Sequence, residues 1–403
     1  MPFRDTWLFI GPLLVVLGFA AGEPMVTGLG LVVLLVGGGS RLWSRHLFDR
    51  VSLRAEPGEG RVFQGEPVAL TVDMENRKLL PLPWFEWRIS VSDPIAVAKE
   101  HLAAAAAPGA SWLVRRGALG WYQRRRWSFE LRANERGYHQ VGPAVIRSGD
   151  LTGLFPRELE VDDRRPLIAY PRVFSLESLG LPADRPLGEQ RGRSRLFEDP
   201  LRFAGIREYR PGDSLRRIDW KATVRRGELR ARVYEPSSEE QFYVLVNIDT
   251  LAHSWEGYLK DDLEHTISVA ASIAVWAAGR RYAVGLLANG SFPGADRAIR
   301  LPPSRARDQL TRVLEALAVI QPLTLGDLPG AIRREMPRVP AGSTLVLVAS
   351  FIPPELAATM QRLHAEGHLV AVVTTSTRAD TAGLDGLPVH AVGHEIRRAE
   401  ALA

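Results

Sequence analysis

The stretch QFYVLVNID, residues 241–249, is apolar at almost every position between Gln241 and Asp249. Such a run is typical of a strand that is buried on both faces of a parallel sheet. Helix and strand patterns alternate after it, with helices at 263–281, 304–320 and 353–367 and strands at 282–290, 343–350 and 368–376. The sequence therefore predicts a doubly wound α/β domain over 241–403, whose ligands would bind at the carboxyl ends of the strands.

The end of this first strand is a candidate binding site. Asp249 ends the strand, and Ser350 and Thr374 end two later ones. No Gly-rich loop follows Asp249, so neither a Rossmann nor a P-loop nucleotide site is expected. The order of elements is similar to that of a von Willebrand factor A-type domain, whose first strand ends in a metal-binding Asp-x-Ser-x-Ser motif. Leu251 and His253 stand at the two Ser positions here.

One carboxylate and one His are a poor ligand set for Mg²⁺, which prefers six oxygen ligands in an octahedron. We therefore expect a lost or weakened metal site at Asp249, and no cofactor. A divalent-metal-dependent, ligand-binding A-type domain centred on Asp249 is the alternative function.

A densely charged stretch, REYRPGDSLRRIDWKA at 207–222, precedes the first strand. Pro211 and Gly212 favour a turn, after which Asp213 or Ser214 would cap a helix that begins near Leu215. In such a helix Asp219 would pair with Arg216, three positions away, and the paired charges would surround Trp220. The stretch contains no His or Cys and no base beside its hydroxyl groups, so a structural or docking network is favoured over catalysis.

The charge of the wider segment leaves another class of partner open. Residues 185–232 hold thirteen Arg and one Lys against seven acidic residues, while the whole chain of 403 residues carries a net charge of +5. A basic block of this kind can bind phosphate or nucleic acid. The near balance of sign within 207–222 favours internal pairing, and no nucleic acid is expected. The absence of Cys excludes disulfides, thiolate metal sites and a Cys nucleophile.

Residues 203–236 closely resemble the signature of the domain of unknown function 58 family. The resemblance implies a membrane-bound protein with a von Willebrand factor A-like domain that acts as a partner of a MoxR-type AAA+ ATPase. It therefore implies a non-enzymatic interaction or scaffold protein in a chaperone-like or assembly system. The motif and candidate docking positions are Arg207, Glu208, Tyr209, Gly212, Asp213, Arg217, Asp219, Trp220 and Lys221.

Short alternating segments upstream predict a β-sandwich over 48–175. They include VALTVDMEN (68–76), WFEWRISV (84–91) and RRWSFELRA (125–133). The turn SGDLTGLF (148–155) follows them and carries an Asp able to bond nearby backbone. Residues 176–240 are predicted to be a linker that includes the charged motif.

Two apolar runs, 7–22 and 25–39, open the chain and are separated by Glu23 and Pro24. Each is shorter than the roughly 20 residues of a comfortable membrane span. A cleaved signal peptide and a pair of buried core helices are the alternatives. The apolar run at 25–39 disfavours a signal peptide, because a mature secreted protein would not normally begin with another apolar run. The lack of a polar face on either run disfavours a pair of core helices. We expect a transmembrane hairpin over 1–45 in the cell (inner) membrane, and the Arg residues that flank it predict that the soluble domains are cytoplasmic.

Overall fold

A computed structural model describes residues 6–105, 107–181, 198–210, 218–236, 241–292, 298–340 and 342–402. It divides into two compact units, residues 1–170 and 171–403. The first unit holds a pair of apolar helices and a β-rich domain, and the second holds a β-ribbon and an α/β sheet. The chain is therefore multi-domain, as predicted.

The two apolar runs form helices α1 (Trp7–Ala21) and α2 (Pro24–Arg45), which pack against each other. Glycines make the close approach possible. A Cβ added at Gly30 would lie 2.7 Å from the Val15 nitrogen, and one at Gly18 would lie 2.4 Å from the Thr27 nitrogen. Among the described helices, α2 alone is long and apolar enough to span a membrane, because α1 has only 15 residues.

The rest of the first unit is built from eleven strands, which begin and end as follows: β1 Val51–Pro57, β2 Arg61–Phe63, β3 Pro67–Asn76, β4 Leu82–Ser92, β5 Ile95–Val97, β6 Ala103–Ala104, β7 Ala110–Leu119, β8 Arg124–Ala133, β9 Gly137–Ser148, β10 Arg157–Val161 and β11 Arg165–Tyr170. One sheet has the order β1-β3-β8-β5. The other has the order β2-β11-β9-β4-β7-β6, with β10 paired to β9. All pairs are antiparallel except β2 with β11.

The two sheets share one hydrophobic core, and aromatic rings lie at its centre. Trp87 on β4 is fully buried, with its ring centroid 5.6 Å from that of Trp127 and 6.1 Å from that of Phe129, both on β8. Buried and outward positions alternate along β3 and β8, as expected for strands with one face on a core. The predicted β-rich middle region is confirmed.

Asp73 lies on the outward face of β3, between two buried neighbours in sequence. Its carboxylate accepts hydrogen bonds from the Nε atoms of Arg124 (3.1 Å) and Arg126 (3.0 Å) on β8. Hydrogen bonds from Arg124 and then Arg126 lower the pKa of Asp73 to about 2. The two strands are thus joined by charge on the face opposite to the core.

The turn at 148–155 attaches the sandwich to the end of α2. Asp150 is buried and accepts hydrogen bonds from the Phe155 nitrogen (2.8 Å) and from the nitrogen (3.0 Å) and hydroxyl of Thr152. The same turn contacts α2, because the Ser44 hydroxyl donates to the Phe155 carbonyl at 3.0 Å. Arg157 donates to the carbonyls of Ser44 and Arg45 at the end of α2, where the carbonyls have no partner further along the helix. The predicted role of Asp150 in bonding nearby backbone is confirmed.

The second unit begins with an antiparallel ribbon of β12 (Glu198–Glu208) and β13 (Arg230–Pro236), which enclose the short helix α3 (Trp220–Arg226). The remaining strands are β14 Gln241–Asn247, β15 Ala283–Ala288, β16 Gly290–Ser291, β17 Ile299–Ser304, β18 Gln321–Thr324, β19 Thr344–Ala349, β20 Leu369–Thr374 and β21 Val389–Ala391. The remaining helices are α4 Lys260–Gly279, α5 Gln309–Val319, α6 Leu328–Glu335, α7 Pro354–Ala365 and α8 Gly393–Leu402, with single 3₁₀ turns at Ser254–Glu256 and Met336–Arg338.

The α/β sheet has the order β17-β15-β14-β19-β20-β21, and all its pairs are parallel except β17 with β15. Helices cover both faces. Phe242 on β14 packs against Trp276 of α4, whereas Tyr243 faces a core shared with α6 and α7. The predicted strand at 241–249 is thus buried on both sides.

The start of one helix in this unit differs from the sequence prediction. The helix expected at 304–320 begins at Gln309, with Asp308 at its N-cap position. Ser304 instead ends β17, an edge strand that contains Pro302 and Pro303 and that was not predicted. Pro is tolerated there because an edge strand has one set of backbone groups that need no ladder partner.

Candidate functional site

The charged motif forms the junction between the β12–β13 ribbon and α3. Ile218 pairs with Ala231 on β13, and the Asp219 nitrogen donates to the Arg230 carbonyl at 2.8 Å. The Asp219 carboxylate then caps α3 by accepting from the Ala222 nitrogen at 2.9 Å, and its second oxygen accepts from Arg232 Nε at 2.9 Å. The bond from the Ala222 amide, and then that from Arg232, lower the pKa of Asp219.

This geometry corrects the predicted helix start. Asp219 has extended dihedrals (φ −87°, ψ 94°), so the helix begins at Trp220 and not near Leu215. The N-cap of this helix is therefore Asp219 rather than Asp213 or Ser214. The preceding residue, Ile218, pairs with β13 and so cannot be part of the helix. The predicted partner Arg216 lies outside the described residues, as do Gly212, Asp213 and Arg217 of the motif.

Hydrogen bonds also fix the C-terminal end of α3. Gly227 has a left-handed conformation (φ 73°), and its nitrogen donates to the Thr223 carbonyl at 2.9 Å. The Thr223 hydroxyl accepts from the Arg230 nitrogen at 3.0 Å, which places β13 directly after the helix. Arg230 pairs with Glu228 at 3.1 Å and with Glu208 of β12 at 3.6 Å. The helix is therefore held in place at both of its ends by the ribbon.

The short helix α3 exposes two apolar and three cationic side chains. Trp220 is 65% exposed and Val224 is 83% exposed, and the two residues are one helical turn apart on the same side. Lys221, Arg225 and Arg226 are exposed beside them and form no ion pair with any residue that the structure describes. We call these five residues the α3 surface.

The α3 surface differs from the predicted network in one respect. The paired charges join Asp219 to β13, while the Trp220 ring faces outward instead of being enclosed by them. Of the remaining motif residues, Arg207 donates to the Glu208 carbonyl at 2.9 Å, and the Tyr209 nitrogen donates to the Leu229 carbonyl at 2.9 Å. The exposed pair Trp220 and Val224 was not predicted from the sequence. The signal that could have indicated it is a Trp and a Val four residues apart in a basic segment.

The second candidate, Asp249, lies at the carboxyl end of β14. Its carboxylate accepts a hydrogen bond at 2.9 Å from the Asn289 amide, which also donates to the Asn247 side chain at 2.8 Å. The Ser350 hydroxyl reaches the Asp249 carbonyl at 3.4 Å. Burial raises the pKa of Asp249, and the Asn289 bond opposes this only in part. Asp249 and Ser350 are therefore brought together as predicted, with the Asn289 amide on the carboxylate and the Ser350 hydroxyl on the main-chain carbonyl.

The side chains at this strand end do not form a ligand set that suits a divalent metal ion. His253 stacks on Trp255, with ring centroids 4.2 Å apart and planes at 8°. No group of three or more His, Cys, Asp or Glu side chains able to hold a metal ion occurs in the described part of the chain. One carboxylate with amide and hydroxyl neighbours falls short of the several anionic oxygens that commonly hold Mg²⁺ or Ca²⁺.

Comparison with known proteins identifies relatives of unknown function. The family model described as "Protein of unknown function DUF58" matches residues 205–386, which include α3 and Asp249. "Uncharacterized protein YeaD" of Bacillus subtilis (strain 168) is 26% identical over 218 residues, which are 52% of this chain and 48% of that protein. The chain thus spans about half the length of this relative. The family match is to the C-terminal part and does not extend to the helix pair or the sandwich.

Two solved structures have a remote likeness to part of the chain. A non-cellulosomal cohesin from Archaeoglobus fulgidus has a TM-score of 0.21 at 13% identity and covers 30% of this chain and 91% of its own. The sporulation control protein Spo0M of Bacillus subtilis has a TM-score of 0.19 at 12% identity and covers 30% of this chain and 49% of its own. Likeness at this level supports no conclusion about function.

Proposed function

We propose that this protein is a membrane-anchored, non-enzymatic interaction protein whose α3 surface docks a MoxR-type AAA+ ATPase. The observation that carries the proposal is the exposed pair Trp220 and Val224 on a helix that has no buried residue, together with Lys221, Arg225 and Arg226, which form no ion pair with the residues that the structure describes. The resemblance of the motif to the domain of unknown function 58 family supplies the kind of partner.

The chemistry of the α3 surface favours a protein partner with an apolar pocket ringed by carboxylates. Trp and Arg are the residues most enriched among those that dominate binding energy in protein interfaces. A nucleic-acid site would instead place cations along the track of a phosphate backbone. Here Lys221, Arg225 and Arg226 lie on the same short helix as an exposed apolar pair, so the cations would orient the partner and the aromatic ring would anchor it.

We also propose that α1 and α2 form a two-span hairpin with the soluble domains in the cytoplasm. Large apolar side chains cover the outside of the helix pair and are solvent-exposed, among them Phe9, Phe19, Met25 and Leu35. A lipid bilayer would remove this surface from water. Arg41 and Arg45 near the end of α2, against Glu23 in the turn, support the orientation.

Cysteine labelling tests the orientation without any background, because the chain contains no Cys. A Cys introduced at Glu23 is expected to react with an impermeant maleimide in intact cells or spheroplasts. A Cys introduced at Asp162 in the sandwich is expected to react only after lysis. The reverse pattern would contradict the proposed topology.

We propose no metal cofactor for the Asp249 strand end. Calorimetric titration of the full chain with MgCl₂ is expected to give no saturable heat at millimolar concentrations, with wild type and Asp249→Asn alike. Saturable binding that the substitution abolishes would favour the alternative, a metal-dependent ligand-binding domain.

Co-purification tests the docking proposal. The full-length protein, extracted in mild detergent, is expected to retain a co-expressed MoxR-type ATPase from the same genome, in the presence or absence of nucleotide. Trp220→Ala is expected to lose the ATPase, while Trp255→Ala retains it, since Trp255 is also exposed (80%) but lies away from the motif in sequence. Failure of the wild-type protein to retain the ATPase in any nucleotide state would refute the proposal.

A further inference from the structure

A large cavity lies beside β17, at the opposite edge of the sheet from β21, between α5 and α6. Its volume is about 1150 Å³, which is large enough for an organic ligand. Leu287 of β15, Ile299 of β17 and Val319 of α5 contribute to its apolar walls. Neither the described residues of the charged motif nor the Asp249 strand end contributes to its lining.

The lining of the cavity is rich in arginine. Arg300 of β17, Arg334 of α6 and Arg338 of the following 3₁₀ turn all line it, whereas Glu335 is the single acidic residue among its described lining residues. Arg334 is exposed and forms no ion pair with the residues that the structure describes. The guanidinium groups therefore outnumber the carboxylates, and the excess charge favours an anion.

Two of the three arginines, Arg300 and Arg338, contact a buried carboxylate. The Glu335 side chain is only 3% exposed, accepts a hydrogen bond from the Tyr243 hydroxyl at 2.9 Å, and pairs with Arg300. Arg338 approaches the same carboxylate at 3.7 Å. Burial, and then the bond to Glu335, raise the pKa of Tyr243, so the phenol remains a donor to the carboxylate. A supporting network of this kind fixes cationic groups before a ligand arrives.

We propose that this cavity binds an amphiphilic anion, in which a carboxylate or phosphate contacts the arginines and an apolar chain lies along the walls. Guanidinium groups pair well with both kinds of anionic group, because their donors match the spacing of the acceptor oxygens. The apolar walls would bury the chain and supply the hydrophobic part of the binding free energy. A small anion would contact the arginines but not the apolar walls. An uncharged apolar molecule would contact the walls but leave the arginines without an anionic partner.

Equilibrium dialysis with the full chain in lipid nanodiscs tests the proposal with four probes, decanoate, decyl phosphate, decanol and acetate. Arg334→Glu removes a cavity cation, while Arg333→Glu is the matched control, since Arg333 is the neighbouring helix residue and does not line the cavity. Partition of the probes into lipid is the same for all protein variants and cancels in the comparison.

Wild type and Arg333→Glu are expected to bind decanoate or decyl phosphate, and Arg334→Glu is expected to bind at least about tenfold more weakly, as for the loss of one charge-assisted contact. Whichever anion binds more tightly identifies the head group. Ala316→Phe, which fills part of the cavity from α5, is expected to weaken both anionic amphiphiles as well. Equal binding by all variants, or binding of decanol as tight as that of the anions, would overturn the proposal.

Discussion

The buried Asp150 carboxylate yields the sharpest prediction about how the helix pair is attached to the sandwich. Replacement by Ala leaves the amides of Thr152 and Phe155 without their acceptor. Thr152 is exposed, so its amide can turn to water, whereas Phe155 is buried. A buried donor without a partner costs about 1–3 kcal/mol, and we expect a loss of local stability of this size.

Hydrogen exchange of the full chain in nanodiscs measures this loss directly. A change of that size corresponds to exchange about 5- to 150-fold faster in peptides that cover 150–161. Asp162→Ala is the matched control, because Asp162 is an exposed partner of Arg164 and its loss should change exchange little. Unchanged exchange in Asp150→Ala would refute the assigned role of the carboxylate in this junction.

The same carboxylate gives the junction a pH dependence of known sign. Burial alone would raise the pKa of Asp150, but bonds from the Thr152 hydroxyl and the Phe155 amide outweigh it and lower the pKa. A carboxyl whose pKa is lower in the folded chain stabilises it fully above its unfolded value of about 4. That stabilisation is lost as the pH falls through the folded-state pKa, and the protection of the 150–161 amides, relative to their intrinsic exchange rate at each pH, should fall there.

Three further predictions concern other parts of the molecule. Gly30→Leu should separate α1 from α2 and lower the melting temperature in detergent, whereas Gly38→Leu, which meets no atom within 4 Å, should not. Asp73→Asn should flatten the acid limb of the stability–pH curve between about pH 4 and pH 2, because the pKa of Asp73 is lowered by its arginine pair; an unaltered curve would contradict this. Tyr243→Phe should destabilise the second unit by about 0.5–1.5 kcal/mol, measured by urea unfolding, because its bond to Glu335 is lost; no change would show the bond to be dispensable.

The periodicity of apolar residues predicted most of the helices and strands but not the residues at which individual helices begin. The apolar strand at 241–249 and the alternating segments of the sandwich were found, because buried strands leave a strong pattern in the sequence. The start of α3 was placed too early because Asp213, Ser214 and Asp219 are all competent caps, and only the pairing of Ile218 with β13 selects Asp219.

The cavity was invisible to sequence reasoning for a different reason. Its supporting network joins Tyr243, Arg300 and Glu335, which lie on a strand, an edge strand and a helix far apart in the chain. No local pattern links such residues. The edge strand itself contains two prolines, which read as a loop until its pairing with β15 is known.

The affinity of the α3 surface for a MoxR-type ATPase directly tests the docking proposal. In a titration of nanodisc-embedded protein with a purified MoxR-type ATPase, Trp220→Ala should raise Kd by roughly 30-fold or more, as for an interface hot spot of about 2 kcal/mol. Trp255→Ala, which removes an exposed Trp elsewhere, should leave Kd unchanged. Equal affinities for wild type and both variants, or no binding by wild type, would contradict the proposed docking surface.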